Sequence, residues 1–193
     1  DVCSSDLDLP DKMIAELRAN VVRNSWLTKP DRQAAGFFDA SIWEEAKRQS
    51  DLALKRLING GVDGTTNTCV LVGSETYVRP WVRYEIFKSL LRGNHLLAVH
   101  INSIKGKDQL TKSLGQNPFD YLGIRFSADG KSGELIEWNE KEWVQYMKID
   151  GKSVHDVKAP AGYAGKSVKL KDLYKIYDWV ADDGYSKFSN WLV

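Results

Sequence analysis

Cysteine is nearly absent from this chain of 193 residues: Cys3 and Cys69 are the only two, and histidine is limited to His95, His100 and His155. Two thiols cannot make the disulfide framework of a small secreted domain, and Cys69 sits inside the apolar run TCVLVG, where a buried thiol is ordinary. That favours a reducing compartment and a cytoplasmic location. The histidines have no ligand spacing with one another or with a cysteine, so no metal site is expected. Charge of one sign is also lacking: 27 Lys and Arg stand against 26 Asp and Glu, for a net charge of +1. No basic field is left to attract nucleic acid, and the aromatic residues have no Lys/Arg stripe beside them to make a base-stacking platform. No apolar run approaches the roughly twenty residues needed to cross a bilayer, nor does the N-terminus read as a secretory signal, so no membrane partner is expected.

What is present is a globular composition, with 42% hydrophobic and 27% charged residues, in a length that suits one domain. Residues 11 to 24 carry Ile14, Leu17, Val21 and Val22 at helical spacing. After a polar loop and the short extended piece GFFD, Asp39 or Ser41 can cap a long helix. Its buried face would be Ile42, Ala46, Leu52, Leu57 and Ile58, and Asn59-Gly60-Gly61 would end it. The runs CVLVG, PWVRYEIFKSLLRG and HLLAVHI then read as strand, helix, strand. Both strands are almost continuously apolar, as in a parallel sheet covered on both faces.

Beyond His100 the pattern changes. Residues 103–169 read as an inserted region in which short antiparallel strands are joined by Asp-Gly and Asn-Glu turns. A last helix is expected with Leu170, Leu173, Tyr174, Tyr177 and Val180 as its buried stripe, interrupted at Gly184.

Pro80 is suited to the first helical position of RPWVRYEIFKSL, and the helix it opens starts at the carboxyl end of a strand, the edge where parallel sheets bind ligands. On a helical wheel Val82, Ile86, Phe87 and Leu90 share one arc, whereas Trp81, Glu85, Lys88 and Arg92 lie opposite. Glu85 therefore has two readings from this helix alone: a solvated acid with Lys88 as its i+3 partner, or a carboxylate at a ligand site.

The surrounding residues carry a resemblance. CVLVGSETYVRPWVRYEI resembles the third strand, loop and third helix of the TIR (Toll/interleukin-1 receptor) family, with a Ser and a Tyr after the strand and W-x-x-x-E opening the helix. Together with RANVVRNSW, AGFFDASIWEEAK, LALKRLINGG, NPFDYLG and YDWVADDGY, it is similar to the TIR-like proteins of bacterial Thoeris antiphage systems over nearly all of residues 18 to 193.

The resemblance implies a flavodoxin-like α/β fold with a parallel sheet, an antiparallel insertion and a C-terminal helix. It implies cleavage of the nicotinamide–ribose bond of NAD+, taken as substrate with no separate cofactor. A hydroxyl of the adenosine ribose would capture the cation to give a cyclic ADP-ribose isomer, a messenger for a separate effector that depletes NAD, in response to a phage-derived trigger. Glu85 matches the catalytic glutamate of the family. Ser74, Tyr77, Trp81, Phe38 and Asp39 match its substrate-binding surroundings, each with a plainer alternative: a turn for Ser74, packing for Tyr77, a wedge between elements for Trp81, a helix cap for Asp39. Arg83 is read as an ion-pair residue ahead of a pyrophosphate contact.

The first strand of the family is missing from residues 1–10, DVCSSDLDLP, where no apolar run is long enough for a central strand. DVCSSDL is also what a translated sequencing adapter gives, so residues 1–7 read either as native or as foreign to the gene, with the domain proper at 11–193. Two other function classes stay open: a TIR-like scaffold that binds a nucleotide or partner without catalysis, and a nucleoside deoxyribosyltransferase.

Overall fold

A computed structural model describes residues 18–22, 46 and 48–192. Among the described residues its centre is a three-stranded parallel sheet of β1 (Asn67–Val72), β2 (His95–His100) and β8 (Lys175–Asp178), with β2 in the middle. Asn67 pairs with His95 and Val72 with His100 along β1 and β2, and Leu97 pairs with Lys175 and His100 with Asp178 along β2 and β8.

Successive side chains of a strand point to opposite faces, so this sheet feeds two cores. Val70, Val72, Leu96 and Ala98 join one core with Leu54, Ile58 and Val62 of α1 (Asp51–Val62) and Val82, Ile86 and Phe87 of α2 (Pro80–Leu91). Leu71, Leu97 and Val99 join the other with Ala19, Val22, Trp179, and Phe188 and Trp191 of α3 (Gly184–Trp191). Burial on both faces explains why β1 and β2 read as continuous apolar runs rather than alternating ones.

Between β2 and β8 the chain builds a second, antiparallel sheet from β3 (Leu122–Phe126), β4 (Gly133–Trp138), β5 (Trp143–Gln145), β6 (Val154–His155) and β7 (Ser167–Lys169). Its path runs β5-β4-β3-β7, and β6 also pairs with β4. The turns fall where the sequence places them. Gly130 takes φ +67° between β3 and β4, and Ser127 closes that turn with Ser132. Between β4 and β5 the side chain of Asn139 accepts from the N–H groups of Lys141 and Glu142, while Glu140 takes φ +77°. Ile124, Leu135, Tyr146 and Val168 carry the inner face of this sheet into the first core, so the insertion is fused to the body.

Three sequence expectations are corrected. The long second helix is broken at Ser50, whose hydroxyl accepts from the N–H of Ala53 at 3.1 Å and starts α1 afresh. That helix then runs through Asn59-Gly60-Gly61 to Val62, because Ile58 and Val62 are fully buried and hold the last turn, whereas Leu52 is exposed.

The expected terminal helix stripe is instead a short turn at Leu170–Asp172 followed by strand β8, with Val180 exposed. Leucine and tyrosine spacing there mimics a helix, but the free edge of β2 offers a full ladder of backbone hydrogen bonds and wins. The C-terminal helix exists further on as α3, and Gly184 opens it rather than interrupting it: a Cβ there would lie 2.5 Å from the ring of Trp179.

Of the first expected helix, residues 18–22 are helical. The GFFD piece, Ser41, Ile42 and the place of the family's first strand lie outside the described residues.

Candidate active site

Four of the six candidate site residues lie along one stretch of chain, the exit of β1 and the first turns of α2. Val72 and His100 end their strands side by side, and the chain leaves β1 through Gly73 and Ser74. Thr76, buried, closes this exit: its hydroxyl accepts from the Gly73 N–H at 2.9 Å and donates to the Leu71 carbonyl at 3.4 Å. Ser74 is exposed, and its hydroxyl accepts from the Asn102 amide at 3.3 Å. Asn102 in turn accepts from the N–H of Gly115 at 3.5 Å, which lays the loop after β2 across the mouth of β1. Gly115 is required by the closeness of this crossing, since a Cβ on it would stand 2.0 Å from the carbonyl oxygen of Gly73.

Tyr77 is half-buried and packs its ring on Tyr121, 4.9 Å between centroids, and its carbonyl accepts from Arg83 Nε at 3.2 Å. Trp81 is half-buried, edge-on to Tyr84 at 5.8 Å and packed against the first core, the wedge position. Arg83 is an ion-pair residue: its Nη1 lies 2.7 Å from Glu137 Oε2 and also donates to the Trp138 carbonyl at 3.1 Å. Phe38 and Asp39 lie outside the described residues.

Glu85 is the residue whose setting differs most from the helical wheel. It is only 4% exposed, on a helix that also buries Val82, Tyr84, Ile86, Phe87, Ser89 and Leu90. A solvated acid paired with Lys88 is therefore not its state. Ser89, one turn further along the same face, bonds through its hydroxyl to Thr68 of β1 at 2.9 Å, so this face looks toward β1. Cys69, also of β1, feels the same carboxylate. Burial pushes its thiol up to about 12, and the negative charge of Glu85 adds to the shift. Such a thiol stays protonated and is no nucleophile. A buried carboxylate is costly to keep beside apolar neighbours, and proteins retain such groups where charge is used.

At the carboxyl end of the sheet His100 and Asp178 sit side by side across β2 and β8. Burial pulls His100 below its ordinary value, against the opposing pull of the Asp178 carboxylate. For Asp178 burial acts upward, but the N–H groups of Ala181 and Val180, the Ser103 hydroxyl and His100 together hold it below the ordinary carboxylate range. Neither group nor the Asn102–Gly115 crossing was marked by a sequence motif, since strand-end and loop contacts of this kind have no fixed spacing. Among the described residues no helix is long and apolar enough to cross a membrane.

The stretch of chain that carries this strand exit and helix also falls within a match to known proteins. The family described as Thoeris protein ThsB, TIR-like domain, matches residues 15–105. A protein of Bacillus cereus (strain MSX-D12), carrying the name "Putative cyclic ADP-D-ribose synthase ThsB1", is 52% identical over 179 residues, spanning 93% of this chain and 93% of its own length. Likeness at that level over that span leaves one assignment: the chain belongs to the Thoeris ThsB family of TIR-like proteins.

Proposed function

We propose that this protein is an enzyme that cleaves NAD+ at the bond between nicotinamide and ribose and closes the remainder into a cyclic ADP-ribose isomer. The observation that carries this reading is the burial of Glu85, at 4% exposure, on the helix that follows β1. The name carried by the 52% identical relative, "Putative cyclic ADP-D-ribose synthase ThsB1", supports the same activity.

The chemistry asks for such a carboxylate. As the C–N bond breaks, nicotinamide leaves with the bonding electrons and the ribose gains oxocarbenium character. A negative group held beside the ring stabilises that charge more in the transition state than in the ground state. Burial strengthens the effect, because water no longer screens it. Capture of the cation by a hydroxyl of the adenosine ribose, rather than by water, gives the cyclic product, so the substrate must fold back on itself in a site that excludes solvent. Ser74 and Tyr77, at the strand exit, are the residues we assign to holding the substrate, with Trp81 fixing the helix that carries the acid. In a Thoeris setting the product is a messenger for a separate effector that depletes NAD, and a phage-derived trigger controls its synthesis.

The test is mass spectrometry of NAD+ incubated with purified protein, with and without lysate of phage-infected cells. The expected product has the mass of NAD+ less nicotinamide, with no water added. Glu85→Gln should lower turnover by roughly a hundredfold or more. NAD+ left intact by the wild type under both conditions would support a non-catalytic binding scaffold, and base exchange between free nucleosides would identify a deoxyribosyltransferase.

A further inference from the structure

A concave site lies on the antiparallel insertion. It is a cavity of about 480 Å³ lined by Gln116, Asn117, Asp120, Tyr121, Trp138, Trp143 and Lys169, with no contribution from Glu85. Its size falls in the range of small-molecule sites. Trp138 and Trp143 face each other across β4 and β5, with ring centroids 5.9 Å apart and planes at 59°, and so form an aromatic corner. Tyr121 adds a third ring to the lining.

The polar groups of this lining are committed in one direction. The Gln116 side-chain oxygen accepts from the Tyr121 hydroxyl, and Asn117 Oδ1 accepts from the Phe119 N–H at 2.9 Å. Both amides therefore have their oxygens in use and their N–H groups to offer. Oδ1 of Asp120 is paired with Lys171 at 2.5 Å, which offsets the charge of that carboxylate. Lys169, by contrast, is held loosely: it is 3.9 Å from Asp120, 5.7 Å above the ring of Trp143, and its side chain is 44% exposed. What remains available is a set of N–H donors, one cation and a corner of flat rings.

From this we infer a binding site for a planar heteroaromatic ring that carries an anionic group, the chemistry of a nucleoside monophosphate. The base stacks in the aromatic corner, which accepts any base because each has a π face. Its ring nitrogens and carbonyls accept from the Gln116 and Asn117 amides, and the phosphate draws Lys169 away from Asp120.

The experiment is isothermal titration calorimetry of the full chain with AMP, and separately with adenosine and with inorganic phosphate. AMP should bind more tightly than either part. Lys169→Gln should weaken AMP about tenfold and leave adenosine unchanged, whereas Trp143→Ala should weaken both about tenfold. Lys169→Gln is a surface change, so it keeps the proposal falsifiable should loss of Trp143 disturb β5. Neither substitution touches the residues assigned to NAD+, so NAD+ turnover should persist in both. Absence of AMP binding overturns the inference, as does AMP binding equally to wild type and both variants, which would put the nucleotide elsewhere.

Discussion

Gly115→Ala is the substitution whose cost is best defined by the fold. The added Cβ would stand 2.0 Å from the Gly73 carbonyl oxygen, 2.7 Å from the Gly73 carbonyl carbon and 3.1 Å from Ser74 Cα. A relaxed carbon–oxygen contact needs about 3.3 Å or more, so the two backbone segments must part by roughly 1.3 Å. All three atoms are backbone, which leaves no side-chain rotation to relieve the clash. Parting the segments also stretches the bonds from Gly115 to Asn102 and from Asn102 to Ser74, already long at 3.5 and 3.3 Å.

Overpacking of this kind costs about 1–3 kcal/mol, and reduced freedom of the unfolded chain returns about 0.4–1 kcal/mol. The net is a loss of about 1 kcal/mol, or a fall of about 2–4 °C in Tm for a chain of this size. Circular-dichroism melts give the answer, with Gly60→Ala as the internal control. Gly60 is an exposed position of α1 with nothing within 4 Å of a new Cβ, so alanine there should stabilise by about 0.5–1 kcal/mol. A Gly115→Ala protein that melts at or above the wild type, while Gly60→Ala behaves as expected, would refute the close-crossing argument.

Two further predictions concern ionised groups. Arg83→Gln removes a cation paired with Glu137, their side chains only 13% and 17% exposed, and should cost about 2 kcal/mol; a double-mutant cycle with Glu137→Gln in urea should return a coupling above about 0.5 kcal/mol, and strict additivity would contradict the pairing. His100, with its folded-state value depressed by burial, binds its proton more readily in the unfolded chain, so its contribution to stability is whole above about 6.5 and is lost as pH falls below that. Urea denaturation between about pH 7.5 and pH 5.5 should therefore show declining stability that is flatter in His100→Gln, and equal slopes would count against the buried neutral imidazole.

The legible part of this fold was the part decided locally. β1, α2 and β2 stood out because doubly covered strands are apolar throughout and because Pro80 and Gly93 punctuate the helix between them. The hairpin turns were legible because Gly130 and Asn139 supply the chemistry those turns demand.

β8 was not legible, since Tyr174, Tyr177 and Val180 fall at helical spacing and only the open edge of β2, distant in sequence, makes Lys175–Asp178 extended. The candidate site divides the same way. Its Ser, Tyr, Trp and Glu could be named from the resemblance to the TIR family, but a helical wheel sees one helix and not the neighbours that bury Glu85. The loop that reaches back through Gly115 to Ser74 depends on a crossing between residues more than forty positions apart in sequence, which no local pattern encodes.

One guanidinium, that of Arg83, grips the Tyr77 carbonyl, the Trp138 carbonyl and the Glu137 carboxylate at once, and so rivets the tip of the β4–β5 hairpin to the start of α2. Hairpin and helix therefore travel as a single part. A chimera that imports this hairpin from a relative must bring a matching arginine and glutamate together, and a tug on the hairpin's end is transmitted, through a lever two residues long, to the position occupied by Glu85.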